Sequence, residues 1–286
     1  MLHALSFDVE EYFQVANLRG RFPRASWDDV PSRLEPAMAA ILGALARHRA
    51  RATFFFLGWI AERHPAHEVA SHGYEHLFLG ELGPEALERD LERTERALEQ
   101  AGAPRPIGFR ASTFTLTRST WWAFDVLARR GYRYDSSVFP VRHPAYGVPG
   151  FEPGISRVDT PEGSVVEFPV ATWPFLGRNL PFGGGGYFRL LPGALTRAAV
   201  AGLERRGRPA AFYLHPWEFD PDQPRHEAPL TKRFRHYLNL EKTLPRLEAM
   251  LERFRFAGLA EVLEAQGYGP MSPAVDCVER EGEGRQ

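Results

Sequence analysis

The chain has 286 residues, 44% of them apolar, and a formal net charge of −1. That is enough apolar material for a sizeable core, and the overall charge gives no bias toward nucleic acid or an anionic membrane. A lone cysteine, Cys277, excludes an internal disulfide, and no apolar run is long enough to span a bilayer.

In chain order, ALSFDVE reads as a first strand that begins almost at Met1, with no leader ahead of it, so the chain is expected to be cytoplasmic. LEPAMAAILGALARHR follows as a helix, with Pro36 in its first turn. RATFFFLG is a strand core and HEVASHG a shorter strand, joined only by WIAERHPA. A parallel crossover normally takes about 10–12 residues or more, so this link predicts one or two helical turns, or an extended link, that leaves part of the neighbouring surface uncovered, with Trp59 and Ile60 packed inward. PEALERDLERTERALEQAG is an amphipathic helix carrying Leu87, Leu91 and Leu98 on one face.

Strand IGFRA, helix STWWAFDVLARRG and a short strand around YRYDSS come next. VVEFPV and PAAFYLHP are further strands, with helix PGALTRAAVAGLERRG between them, and EKTLPRLEAMLERF and LAEVLEAQG close the series. Such alternation predicts a parallel α/β sheet or barrel. Residues 140–188 interrupt it as a Pro- and Gly-rich excursion ending in FGGGGYF, where the glycine run reads as a flexible loop in preference to a ligand-cradling one, and 271–286 read as a disordered tail.

Polar groups concentrate at the strand ends. Residues two apart in a strand point the same way, so Asp8 and Glu10 of SFDVEE face one site while Val9 faces the packed side. Paired carboxylates repel unless a cation lies between them or one is protonated, and a divalent metal is the simplest resolution. Acidic residues after a strand also cap following elements. Glu11 is a rival ligand, but alternation turns it away from Asp8.

In ASHGYEH, His72 and His76 are four apart, a spacing that brings both imidazoles to one side of a helical turn. Two His and one carboxylate make an open catalytic metal site with room for water. Arg110 in GFRASTF needs a carboxylate partner, Asp135 ends YRYD, and His215 ends FYLH. In parallel α/β barrels strand C-termini converge on one face, where active sites lie.

The ordered series SFDVEE, HGYEH, FRASTF, YDSS and LHP resembles the five motifs of the NodB-type polysaccharide deacetylases, over roughly residues 1–220. HPWEFDP and RFRHYLNLEKT resemble the subgroup associated with exopolysaccharide and exosortase loci. The resemblance implies a distorted (β/α) barrel in a single domain, 1–270, with a subgroup-specific part within 140–270. It implies hydrolysis of an N-acetyl amide on an amino-sugar glycan, with one divalent metal, zinc by ligand type. Asp8 would be the general base, oriented by Arg110; Glu10, His72 and His76 would hold the metal; His215 would be the general acid, tuned by Asp135. Ser112 stands where a proline is common, and the fourth motif lacks the usual tryptophan, leaving the substrate wall to Phe139, Trp217 and Phe114. A related hydrolase opening another C–N bond, such as a ureide, and a degenerate glycan-binding barrel are the competing readings.

Overall fold

The computed structural model describes residues 1–61, 69–143 and 146–271. β1 (Leu2–Val9) leads to α1 (Leu34–Arg47), β2 (Thr53–Phe56), the one-turn α2 (Gly58–Ala61) and β3 (Val69–Ser71). α3 (Pro84–Gln100), β4 (Gly108–Phe109), α4 (Ala123–Arg129) and β5 (Tyr134–Asp135) continue the alternation. Two hairpins follow, β6 (Ser156–Thr160) with β7 (Gly163–Glu167), and β8 (Thr172–Phe175) with β9 (Arg178–Pro181). The remaining elements are α5 (Gly185–Leu190), α6 (Gly193–Glu204), β10 (Ala211–Leu214), α7 (Leu230–Tyr237), α8 (Thr243–Arg253), β11 (Arg255–Ala257) and α9 (Leu259–Ala265).

The main sheet runs β10-β1-β2-β3-β4-β5-β7-β6, with β11 added to the start of β1. Every pairing is parallel except β6 with β7. Beyond β7 the chain continues across to the other end of the sheet. The Val170 amide donates to the Val138 carbonyl at 3.2 Å, and the Ala171 amide to Ala211 of β10 at 3.0 Å. The Tyr213 amide donates to Gly183 at 2.9 Å, and Gly184 bridges Tyr213 in parallel. The two ends of the sheet are thereby joined by irregular backbone, which is the distorted (β/α) form expected from the motifs.

Alternation sorts β1 as its sequence dictates. Leu5, Phe7 and Val9 pack outward with Phe54 and Phe56 under the helices, while Ala4 turns inward with Phe55, Ala70 and Ala211. Small residues leave the inside narrow, and Phe55, fully buried, forms its floor below the functional face. On α3, Leu87 and Leu91 pack against Phe109, Phe124 and Leu127. Burying each such side chain contributes about 1.5–3 kcal/mol.

Three expectations change. The 140–188 excursion contains both hairpins and the start of α5, because Pro and Gly here punctuate short strands rather than suppress them. The glycine run is not a flexible loop. A Cβ on Gly184 would lie 1.9 Å from the Tyr213 carbonyl oxygen, so the glycines allow two backbones to meet where the sheet closes. β11, three residues long, adds a strand where none was expected, in the gap between the two closing helices. In the shortened link, α2 supplies the helical turn, and Trp59 and Ile60 are buried as expected. The rest of that link, Glu62–Ala66, and the tail from Ser272 lie outside the described residues.

Candidate active site

Arg110 leaves the end of β4 fully buried, its guanidinium 4.1 Å above the Phe55 ring. Nη1 donates to Asp8 Oδ1 at 2.5 Å and to Ser6 Oγ at 2.7 Å; Nε and Nη2 donate to the Ser136 carbonyl and hydroxyl. A buried guanidinium survives because each side of its fork has an acceptor. Its grip leaves Asp8 Oδ2 turned to the opening, 4.0 Å from His215 Nε2.

Glu10, one step past β1, His72 and His76 each present one ligand atom, all within 4.8 Å of one another. His72 Nδ1 donates to the Arg110 carbonyl at 2.8 Å, which leaves Nε2 for the site. Burial first, then His76, hold the His72 pKa down at about 3, so the ring is neutral, the form that ligates. Glu10 Oε1 accepts from Trp217 Nε1 at 3.2 Å; Oε2, buried, makes no hydrogen bond among the described residues and lies 3.0 Å from His76 Nε2. Burial pushes the Glu10 carboxyl up, but the imidazoles of His76, His215 and His72 outweigh it and hold it below the usual carboxylate range. An orphaned carboxylate oxygen beside the ring nitrogens of two histidines fits a divalent cation.

The His pair does not sit on a helical turn. β3 ends at Ser71, and the chain through His76 is a bend in which His76 takes a left-handed φ of 55°. Thr113 and Phe114 are also left-handed, at φ 54° and 55°, in the loop that carries Ser112. That loop is held by the Ala111 amide on Ser137 Oγ at 2.8 Å and by Ser112 Oγ on the His72 carbonyl at 3.3 Å. Such strain persists where the surroundings over-determine it, commonly at functional sites.

His215 follows β10, with its Nε2 3.5 Å from Glu10 Oε1 and its Nδ1 3.0 Å from Glu218 Oε2. Burial works against charging this imidazole, but Glu218, Glu10 and Asp8 outweigh it and raise its pKa to about 9. Glu218 is fully buried; Arg189 Nε donates to its Oε1 at 2.6 Å, and Arg189 with His215 overcomes burial to hold its pKa at about 2.

The expected Asp135–His215 pair is therefore replaced by Glu218–His215. Asp135 accepts instead from the Ser137 amide at 3.0 Å and the Ser137 hydroxyl at 2.6 Å, and stands beside Glu167, whose carboxyl burial raises well above its usual range. Phe139 is also displaced from its expected role: it is fully buried, stacked 5.7 Å from Tyr146, and cannot face a ligand. Glu11 turns away, accepting from Ser32 Oγ and the Arg33 amide.

Asp8, Glu10, His72, His76 and His215 open into one cleft of about 150 Å³. Phe114, Trp217, Tyr146, Tyr213, Gly185 and Arg235 contribute its walls. A hollow of about 260 Å³ near Phe188, Arg197 and Arg246 is roomier, but holds neither a carboxylate nor an imidazole. Glu218 had a sequence signal that motif order passed over. His-Pro-Trp-Glu is an N-terminal turn in which the residue three after the cap reaches back to it.

Fold and site together define an α/β protein with a two-histidine, one-carboxylate cluster between a charged Asp–Arg pair and a His–Glu pair. Residues 24–134 match the polysaccharide deacetylase family, and 136–264 match a domain of unknown function (DUF3473). Two chitooligosaccharide deacetylases from Rhizobium leguminosarum, of biovars trifolii and phaseoli, are each 33% identical, over 113 and 110 residues. The matches take in 36% and 30% of this chain, and it spans about half the length of these relatives, 49% and 47%. A Mycobacterium smegmatis crystal structure assigned to the polysaccharide deacetylases superposes with a TM-score of 0.61 at 19% identity, covering 95% of this chain and 94% of that one. The likeness establishes the shared fold.

Proposed function

We propose that the protein is a hydrolase that removes N-acetyl groups from an amino-sugar glycan. The observation that carries this is the convergence of Asp8–Arg110, Glu10–His72–His76 and His215–Glu218 on one cleft. The family match over 24–134 and the chitooligosaccharide deacetylases among its relatives support the bond and substrate class. The resemblance of HPWEFDP and RFRHYLNLEKT supports a role in exopolysaccharide synthesis.

Glu10, His72 and His76 would hold one divalent metal, zinc by ligand type. Bound there, it would lower the pKa of water and polarise the amide carbonyl. Asp8, gripped through Oδ1 by Arg110, accepts the proton of the attacking water through Oδ2. His215, oriented by Glu218, donates a proton from Nε2 to the departing amine as the C–N bond breaks. Phe114 and Trp217 offer apolar surface for the sugar faces, and Tyr146 replaces Phe139 in that wall.

Release of acetate from N-acetylated chitooligosaccharides tests the reading, with chelator and then with added zinc. Activity lost with chelator and restored by metal is the expected result. No acetate release from any N-acetylated glycan, with metal content verified, would favour the glycan-binding alternative.

A further inference from the structure

α7 is set on the rim of the cleft by its inner side. His236, its one buried residue, stacks on Trp217 at 4.4 Å, and Arg189 donates to the carbonyls of Arg235, His236 and Leu238 at 3.0, 3.0 and 2.6 Å. These contacts fix how the outer side is presented. There, one turn apart, Leu230 and Phe234 are 80% and 60% exposed. With Tyr237, Leu238, Arg225 and Arg233 they line an open groove of about 370 Å³.

The surrounding charge is one-sided. Between Arg225 and Tyr237 the chain carries Arg225, Lys232, Arg233 and Arg235 against Glu227 alone, in a protein of net charge −1. Among the described residues, none of the four cations lies within ion-pair distance of a carboxylate. Large apolar side chains held in water on a fixed helix mark an interaction surface. Unpaired cations around them select an occupant that is apolar within and anionic at its boundary.

We infer that α7 docks the protein on an anionic lipid surface, with Leu230 and Phe234 entering the boundary between headgroups and acyl chains and Arg225, Lys232 and Arg233 meeting the headgroups. Arg235 of the same helix lines the cleft, so a docked chain opens its site beside the lipid. The docking rests on the α7 surface and is independent of the deacetylase reading.

Co-sedimentation of the full chain with vesicles tests it, using phosphatidylcholine alone and phosphatidylcholine mixed with phosphatidylserine, at low and high salt. The expected result is pelleting with the mixed vesicles only, weakened by salt. Leu230→Ser with Phe234→Ser should abolish it. Lys232→Gln with Arg233→Gln should weaken it by on the order of 25-fold, about fivefold per cation. Thermal melts and acetate release from soluble oligosaccharide should stay unchanged in the Leu230/Phe234 variant, which separates loss of docking from loss of fold. A wild-type chain that stays in solution with mixed vesicles overturns the inference. So does pelleting indifferent to lipid charge or to the Leu230/Phe234 change, and so does a chain that ignores vesicles but self-associates through α7.

Discussion

His215 Nδ1 lies 3.0 Å from Glu218 Oε2, while the other oxygen of Glu218 takes Arg189 Nε at 2.6 Å. The imidazole is thus oriented by a residue three positions ahead in the chain, and that residue is anchored by an arginine from α5. Fixing one ring nitrogen decides what the other presents to the site.

Glu218→Gln should therefore lower turnover by about tenfold or more, part of the 10²–10⁴-fold usual for a general acid. It should also destabilise the fold, by up to about 3–5 kcal/mol, because Arg189 loses its buried partner. Turnover measured well below the melting temperature separates the two effects. Asp135→Asn should fall less in turnover, since its hydrogen bonds end on Ser137. The reverse order would return the partner role to Asp135.

Asp8 and Glu10 lie on one side of β1 but have different neighbours: Arg110 for one, three imidazoles for the other. Asp8→Asn should keep most of the bound metal and lose about 10²-fold or more in turnover. Glu10→Gln should lose metal. Metal content by atomic spectroscopy, read beside acetate release, checks both, and metal lost from Asp8→Asn but kept in Glu10→Gln would exchange the roles.

The site was legible in the sequence wherever a strand end announced it. Period two put Asp8 and Glu10 together, and a charged residue closing an apolar run marked Arg110 and His215. What escaped depended on which side chains meet once the chain is folded. Arg189 reaches Glu218 across 29 positions, and Asp135 reads as a free strand-end carboxylate until Ser137 and Glu167 are seen around it. Phe139 looked available because aromatic character does not tell a buried ring from an exposed one. The His72–His76 spacing pointed to a helical turn, and the two histidines meet instead across a tight bend, which brings residues four apart together as a helical turn does.

Asp90 Oδ2 accepts from the Tyr74 amide at 3.0 Å, under the bend that carries both histidines. Burial raises its pKa from 3.8 to about 6. A raised carboxyl means the folded state holds a proton the unfolded state releases, so its contribution is complete below about pH 4 and lost as pH rises to about 6. Asn keeps the acceptor and cannot ionise. The melting temperature of the wild type relative to Asp90→Asn should therefore fall between pH 4 and pH 6, by the equivalent of about 1–3 kcal/mol. A constant difference across that window would show that Asp90 stays ionised in the fold.

Gly184 and Gly186 stand two apart in FGGGGYF and should respond in opposite ways. Gly184 has φ 150° and ψ −173°, a region open essentially to glycine alone, and its Cβ would fall 1.9 Å from the Tyr213 carbonyl oxygen. Neither the dihedral nor the rigid β10 backbone can give way cheaply. Gly184→Ala should cost about 3 kcal/mol or more and disturb the closure that also places Tyr213 in the cleft wall. Gly186 lies within α5 with nothing within 4 Å of its Cβ position. Gly186→Ala should leave stability unchanged or raise it by up to about 1 kcal/mol, the helix preference of alanine over glycine. Urea unfolding of the two variants beside the wild type gives the comparison. Equal tolerance at both positions would mean that the Gly184–Tyr213 approach does not hold in solution, and the run would then be the flexible loop its composition suggests.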